Sequence, residues 1–125
     1  MGVIIAIFIG GGLGSLARYG VAHLVTQFWR GEFPLGTFVA NLLSCIVMGA
    51  VVGLFYHKIT TAELKALILI GFCGGFSTFS TFGLEFFGLI NQGRVVLACC
   101  YVGLSLLLSF FIFFILAKNY SLNIG

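Results

Sequence analysis

Two stripes of hydrogen-bond donors recur at helical spacing in an otherwise apolar chain. Thr37, Asn41 and Ser44 fall at i, i+4 and i+7; Tyr101, Ser105 and Ser109 fall at i, i+4 and i+8. On helices each set shares one face. Two readings stand side by side. Such groups can glue helices together inside a membrane, at about 0.6 kcal/mol per bond. Stripes of donors without a carboxylate can also line a path, and such a path favours an anion. Between them runs Gly71-Phe72-Cys73-Gly74-Gly75-Phe76-Ser77-Thr78-Phe79-Ser80-Thr81-Phe82. Glycine pairs followed by Ser and Thr make a poor continuous helix, because glycine is costly and the hydroxyls compete for backbone bonds. A break at membrane depth frees carbonyls that must be buried in protein or meet a cation. Phe79 and Phe82, at i and i+3, share a face flanked by hydroxyls. The rim of an aromatic ring is positive, so it can face an anion that the flat surface would repel; the alternative is a packing stripe.

Arg18 is the one permanent charge well inside an apolar run. Its guanidinium stays charged, so it needs carbonyls, water or an anion, unless it snorkels to the interface. It follows the small-residue run Gly10-Gly11-Gly12-Leu13-Gly14, which permits close backbone approach. His23 reads as interfacial. Cys45, Cys73, Cys99 and Cys100 lack metal-ligand spacing and read as small core hydrophobes. No nucleophile–base pair is placed together by spacing, so an intramembrane enzyme is not expected.

These residues are carried by a chain whose composition fixes its solvent. Of 125 residues, 61% are hydrophobic and 7% charged, against about 25% charged in soluble domains. The acids are Glu32, Glu63 and Glu85, and the net charge of +3 forms no cluster able to grip nucleic acid. No signal-peptide pattern opens the chain. The expected architecture is an all-α integral membrane protein, one domain over 1–125 with spans near 2–28, 35–56, 63–90 and 95–117. The third span is expected to break mid-membrane. Pro34 suits the start of the second helix, and Thr60-Thr61-Ala62-Glu63 reads as a capping box opening the third. Trp29, Tyr56 and Tyr120 fall at helix ends, where amphipathic rings favour the headgroup level.

Four spans put both termini on one side. That side carries Lys58, Lys65 and Lys118, and the other Arg30 and Arg94. Three against two is too small a bias to fix orientation by the positive-inside rule. Either the first helix decides, or copies insert both ways and pair antiparallel. A four-helix chain is also too small to enclose a pore and still pack its own helices, so assembly is expected.

Gly-Gly-x-x-Gly-Ser-x-x-Arg-Tyr ending at Tyr19, Gly36-Thr37-Phe38-Val39-Ala40-Asn41, and Gly71–Phe82 occur together in this order. With these motifs the chain resembles the Fluc (CrcB) family of fluoride channels along nearly its whole length. The resemblance implies an antiparallel, dual-topology homodimer with two fluoride pores, each using both subunits, in the cell inner (plasma) membrane. It implies that Phe79 and Phe82 line the pore, that Asn41 is the pore asparagine, and that Ser80 and Thr81 supply hydroxyls beside the rings. Thr37 falls in the same matched motif and joins the pore set. Tyr101, Ser105 and Ser109 would form a polar track, and Glu85 a carboxylate near the pore end. Arg18 would stand in an aqueous vestibule. The backbone carbonyls of Gly74 and Ser77, with their two-fold mates, would hold a structural sodium ion. Ser44-Cys45 departs from the family pattern, where Gly or Ala-Gly is expected, which touches helix packing.

Fluoride is small and strongly hydrated, so a selective path must replace its water with dense donors. A small multidrug exporter shares the length and helix number but would need a carboxylate deep in the first helix, and none is there. A purely structural subunit would leave the polar stripes unexplained.

Overall fold

The computed structural model describes residues 1–118; Tyr120 lies outside them. Four helical runs are long and apolar enough to cross a membrane: Gly2–Phe28, Leu35–Lys58, Ala62–Asn91 and Val95–Leu116. Even the last, with 22 residues at about 1.5 Å rise, covers the ~30 Å hydrocarbon core. No strand occurs among the described residues. Large apolar side chains face outward on every run, among them Phe8, Leu54, Leu84 and Phe114. That is the surface of a helix bundle solvated by lipid.

The first run is one helix, α1 (Gly2–Phe28). The second begins as α2 (Leu35–Ala50), then loosens into a π-helical turn, Val51–Phe55, and a tight turn, Tyr56–Lys58. The third comprises α3 (Ala62–Lys65), a π-helical stretch Ala66–Cys73, α4 (Gly74–Phe76) and α5 (Phe79–Asn91). The fourth is α6 (Val95–Leu116).

Glycines set how close these helices come. A Cβ on Gly10 or Gly14 of α1 would overlap the carbonyls of Leu67 and Phe72, and one on Gly75 would lie 2.5 Å from the Gly11 carbonyl oxygen. The α1–third-run contact is therefore backbone against backbone. At the far side, Leu89, Ala98 and Tyr101 form a buried cluster between α5 and α6, covered by Phe33, Phe38, Phe82 and Phe86.

The termini explain the connections. Gly93, at φ +77°, closes α5: its N–H donates to Ile90 O (3.0 Å) and that of Arg94 to Leu89 O (2.9 Å), the Schellman pattern. The Arg94 side chain then pairs with Glu32 of the α1–α2 loop, where Trp29 Nε1 donates to Phe33 O at 2.9 Å. The third run is capped one residue later than the expected box. Thr61, not Thr60, accepts from Leu64 N–H (3.3 Å), which moves Glu63 out of the reciprocal position and toward Gly2. The expectation of four core cysteines also needs correction. Only Cys73 is buried; Cys45 is half-buried, and Cys99 and Cys100 are exposed, because they fall on the outward side of α6.

Candidate functional site: a helix interruption, two donor stripes and a shared carboxylate

The Gly74-Gly75 pair, where sequence places the break, is itself helical. The extended residues are Ser77 (φ −87°, ψ 158°) and Thr78 (φ −150°, ψ 120°). The glycines serve the close approach to α1, and the hydroxyl residues supply substitute partners where the backbone ladder stops. Thr78 N–H, which a continuous helix would turn onto the Gly74 carbonyl, donates instead to Asn41 Oδ1 at 2.8 Å, while Asn41 Nδ2 donates to Thr78 O at 3.2 Å. Thr81 N–H, which would turn onto the Ser77 carbonyl, donates to Thr78 Oγ1 at 3.2 Å. Thr78 is thus the N-cap of α5. Sequence reading passed over it, although a Ser-Thr pair ahead of a periodic apolar run is a helix-start signal.

Neighbouring groups fasten the same segment. Ser44 Oγ and Ser77 Oγ both donate to Cys73 O, at 3.0 and 2.9 Å. Arg18 Nε donates to Gly75 O at 3.1 Å. Of the two readings of Arg18, this geometry favours the inward one: a carbonyl near the interruption takes the guanidinium. His23, by contrast, is exposed, stacked on Tyr19 with ring centres 6.0 Å apart.

The two donor stripes have different fates. That of α2 is largely committed to holding the third run, through Asn41 and Ser44. That of α6 begins at Tyr101, which is fully buried, and continues to Ser105, whose buried hydroxyl has no hydrogen-bond partner. Ser109, two turns from Tyr101, is half-buried. A buried donor left unmade costs about 1–3 kcal/mol, so Ser105 is an expensive residue unless something outside the subunit accepts from it. The stripes are not free of acid, as sequence reading had them. Glu85 accepts from Thr37 Oγ1 at 2.6 Å and from Tyr101 OH at 2.9 Å, joining α2, α5 and α6 in one triad. The spacing of Glu85 from either stripe in sequence, 16 residues from Tyr101 and 48 from Thr37, gave no hint of it.

Phe79 and Phe82 occupy the first turn of α5. Their ring centres lie 6.0 Å apart, and Phe82 lies 4.9 Å from the ring of Tyr101. Phe79 is 84% exposed. Ser80 is also exposed, its Oγ 3.5 Å from Thr78 Oγ1, and Thr81 is half-buried. A cavity of about 290 Å³ opens beside them, lined by Ser15, Arg18, Tyr19, Thr37, Thr81 and Glu85 among others. A second, of about 330 Å³, lies between Glu32, Pro34 and Gln92 and shares Glu85 with the first. The Glu85 carboxylate therefore stands between two polar spaces. Ser15 and Tyr19 are lining residues that sequence reading did not single out. Ser15 lies one residue beyond the glycine run, at i−3 from Arg18, and that position on Arg18's face was the available signal.

The family model described as "CrcB-like protein, Camphor Resistance (CrcB)" matches residues 5–117. The chain belongs to the CrcB family. Among its relatives, the "Fluoride-specific ion channel FluC" of Nitratidesulfovibrio vulgaris is 44% identical over 106 residues, 84% of this chain and 86% of the relative. The protein of the same name from Pseudomonas putida strain F1 is 38% identical, covering 82% and 84%. That from Pyrococcus horikoshii is 35% identical, covering 90% and 91%. The CrcB match spans all four helical runs, so the interruption, both stripes and Glu85 fall inside the shared region.

Proposed function

We propose that this CrcB chain is a fluoride-selective channel rather than an enzyme, and that it lets fluoride leave the cytoplasm passively. The observation that carries the reading is the line formed by Phe82, Tyr101 and the unpartnered Ser105 hydroxyl, beside the exposed Phe79. Ring edges from α5 and a spare donor on α6 suit an anion that must shed water. The names of the relatives supply the identity of that anion.

The working unit in this reading is an antiparallel, dual-topology homodimer in the inner membrane. Each of two pores lies off the two-fold axis and is completed by Phe79 from the opposite copy. Off-axis sites occur in pairs under two-fold symmetry. The exposure of Phe79 and the open space beside Gly74 support a partner at this face. Anions gather in the Arg18 cavity, beside a Glu85 carboxylate whose two donors keep its oxygens occupied, and pass the rings and the α6 hydroxyls. Fluoride enters cells from acidic surroundings as neutral HF and is trapped as the ion. The negative-inside potential then drives the ion out through a passive path.

A structural sodium ion fits the interruption. The carbonyls of Gly74 and Ser77 have each lost their helical donor, to Asn41 and to Thr78 Oγ1. Hard cations take such oxygen ligands, and bound there the ion would supply fixed positive charge at the dimer centre. Because the ligands are backbone atoms, Ser77→Ala keeps the site, and a bulky residue at Gly74 disturbs it.

Reconstituted liposomes loaded with potassium fluoride or potassium chloride and opened to potassium by valinomycin test the function. Fluoride efflux without chloride efflux is expected. Efflux of neither, or of both equally, sinks the proposal.

A further inference from the structure

A third cavity lies away from the donor stripes. It is an open groove of about 650 Å³ between the end of the second run, the third run and the end of α6, lined by Val52, Leu69, Phe110, Phe113 and Phe114 with Lys118 at one end. Both π-helical stretches contribute to it, Val52 from Val51–Phe55 and Leu69 from Ala66–Cys73. Such widened turns are rare and recur at functional positions.

Charge is confined to one end of this groove. Among the described residues, Lys118 is its only charged lining residue. Lys65 stands one helical turn before Leu69 on the same face. Its ammonium is 4.3 Å from the centre of the Tyr56 ring, so it crosses from the third run to the second. Tyr56 in turn lies four residues beyond Val52. Each of three elements thus passes from an apolar lining residue to a lysine or tyrosine within about one turn. Lys58, over the Phe55 ring at 5.5 Å, adds positive charge at the same membrane edge.

We propose that the groove binds one anionic phospholipid from the bilayer, with an acyl chain against Val52, Leu69 and the α6 phenylalanines and its phosphate between Lys65 and Lys118. The apolar length and the paired ammoniums at one end complement the two parts of such a lipid. Each lysine near an anionic headgroup contributes enough attraction for about a fivefold gain in affinity, so roughly a thirtyfold preference over a zwitterionic lipid follows.

Native mass spectrometry of the delipidated full-length protein, titrated with phosphatidylglycerol or phosphatidylcholine of identical acyl chains, reads this directly. Phosphatidylglycerol is expected to bind roughly thirtyfold more tightly, with the preference falling about fivefold in each of Lys65→Gln and Lys118→Gln. Arg30→Gln, at the opposite membrane edge, leaves it unchanged. Leu69→Trp, which fills the groove, weakens both lipids. Should that variant misfold, the lysine variants still decide. Equal binding of the two lipids overturns the proposal. So does a preference that survives Lys65→Gln/Lys118→Gln, or one that Arg30→Gln lowers as much. The readout does not involve fluoride, so its failure and that of the channel reading are separable.

Discussion

Asn41→Leu tests what holds the interruption of the third run open. Asn41 makes two bonds to one residue, accepting from Thr78 N–H at 2.8 Å and donating to Thr78 O at 3.2 Å. Leucine keeps the γ-branched shape and makes neither. Counted as two ordinary interhelical bonds in a membrane, the loss is about 1 kcal/mol. Counted as two orphaned backbone groups, it is about 2–6 kcal/mol. Asn41 is half-buried, and a straightened segment can return Thr78 N–H to the Gly74 carbonyl, so the expected cost is about 2–4 kcal/mol. Reversible unfolding in mixed micelles, titrated with a denaturing detergent, measures it. Straightening also removes the free Gly74 carbonyl, so fluoride flux should fall with stability. Asn41→Asp makes the sharper companion. Its remaining oxygen still accepts from Thr78 N–H, but the second oxygen faces the Thr78 carbonyl, and the new charge repels an anion. Flux should fall further in Asn41→Asp than in Asn41→Leu at similar stability. If Asn41→Leu unfolds within about 0.5 kcal/mol of wild type and conducts normally, Asn41 does not hold the interruption.

Phe79→Ile should leave subunit stability unchanged, because Phe79 is mostly exposed, while lowering fluoride flux; intact, fully conducting protein would remove Phe79 from the path. Phe82→Ile should cost about 1 kcal/mol as well, through its lost contact with Tyr101, so its flux needs correction for folded fraction. Ser105→Ala removes a buried hydroxyl that has no partner in the subunit; stability should hold or rise while flux falls, and a clear destabilisation would show that Ser105 bonds within the fold. Gly14→Leu would drive a Cβ into the Phe72 carbonyl and should cost about 3 kcal/mol or abolish folding, as read by yield and monodispersity. Accessibility labelling of tagged termini should find copies in both orientations, and a uniform orientation would refute the antiparallel dimer.

Hydrophobic runs made the four helical stretches legible, because a helix that must cross lipid satisfies its backbone alone and shows an apolar length in sequence. Periodicity also placed Thr37, Asn41 and Ser44 on one face, since spacing of i, i+4 and i+7 is a property of the helix itself. What those side chains touch was not legible. Asn41 meets Thr78 across 37 residues of sequence and Thr37 meets Glu85 across 48, and such pairings depend on how helices dock. The position of the interruption shows the same limit. Glycine propensity pointed to Gly74-Gly75, but there the missing Cβ atoms serve packing against α1, and local capping by Thr78 set the extended residues a little later. Propensity gave way to tertiary contact.

The polar groups divide by whether the subunit satisfies them, and that division separates support from transport. Ser44, Asn41, Thr78 and the Arg18 Nε are spent on backbone atoms around the interruption. Altering them perturbs structure first and flux through it. The Ser105 hydroxyl, the ring of Phe79 and the carbonyls of Gly74 and Ser77 are left over. In lipid, the polar atoms among these raise the energy of an isolated subunit, because no water reaches them, whereas the Phe79 ring costs nothing there. A partner copy, a permeating anion and a bound cation would each relieve one part of that cost. The groups that make the lone subunit unfavourable are the same ones that the proposed channel uses, so in this reading assembly and conduction draw on a single set of unsatisfied atoms.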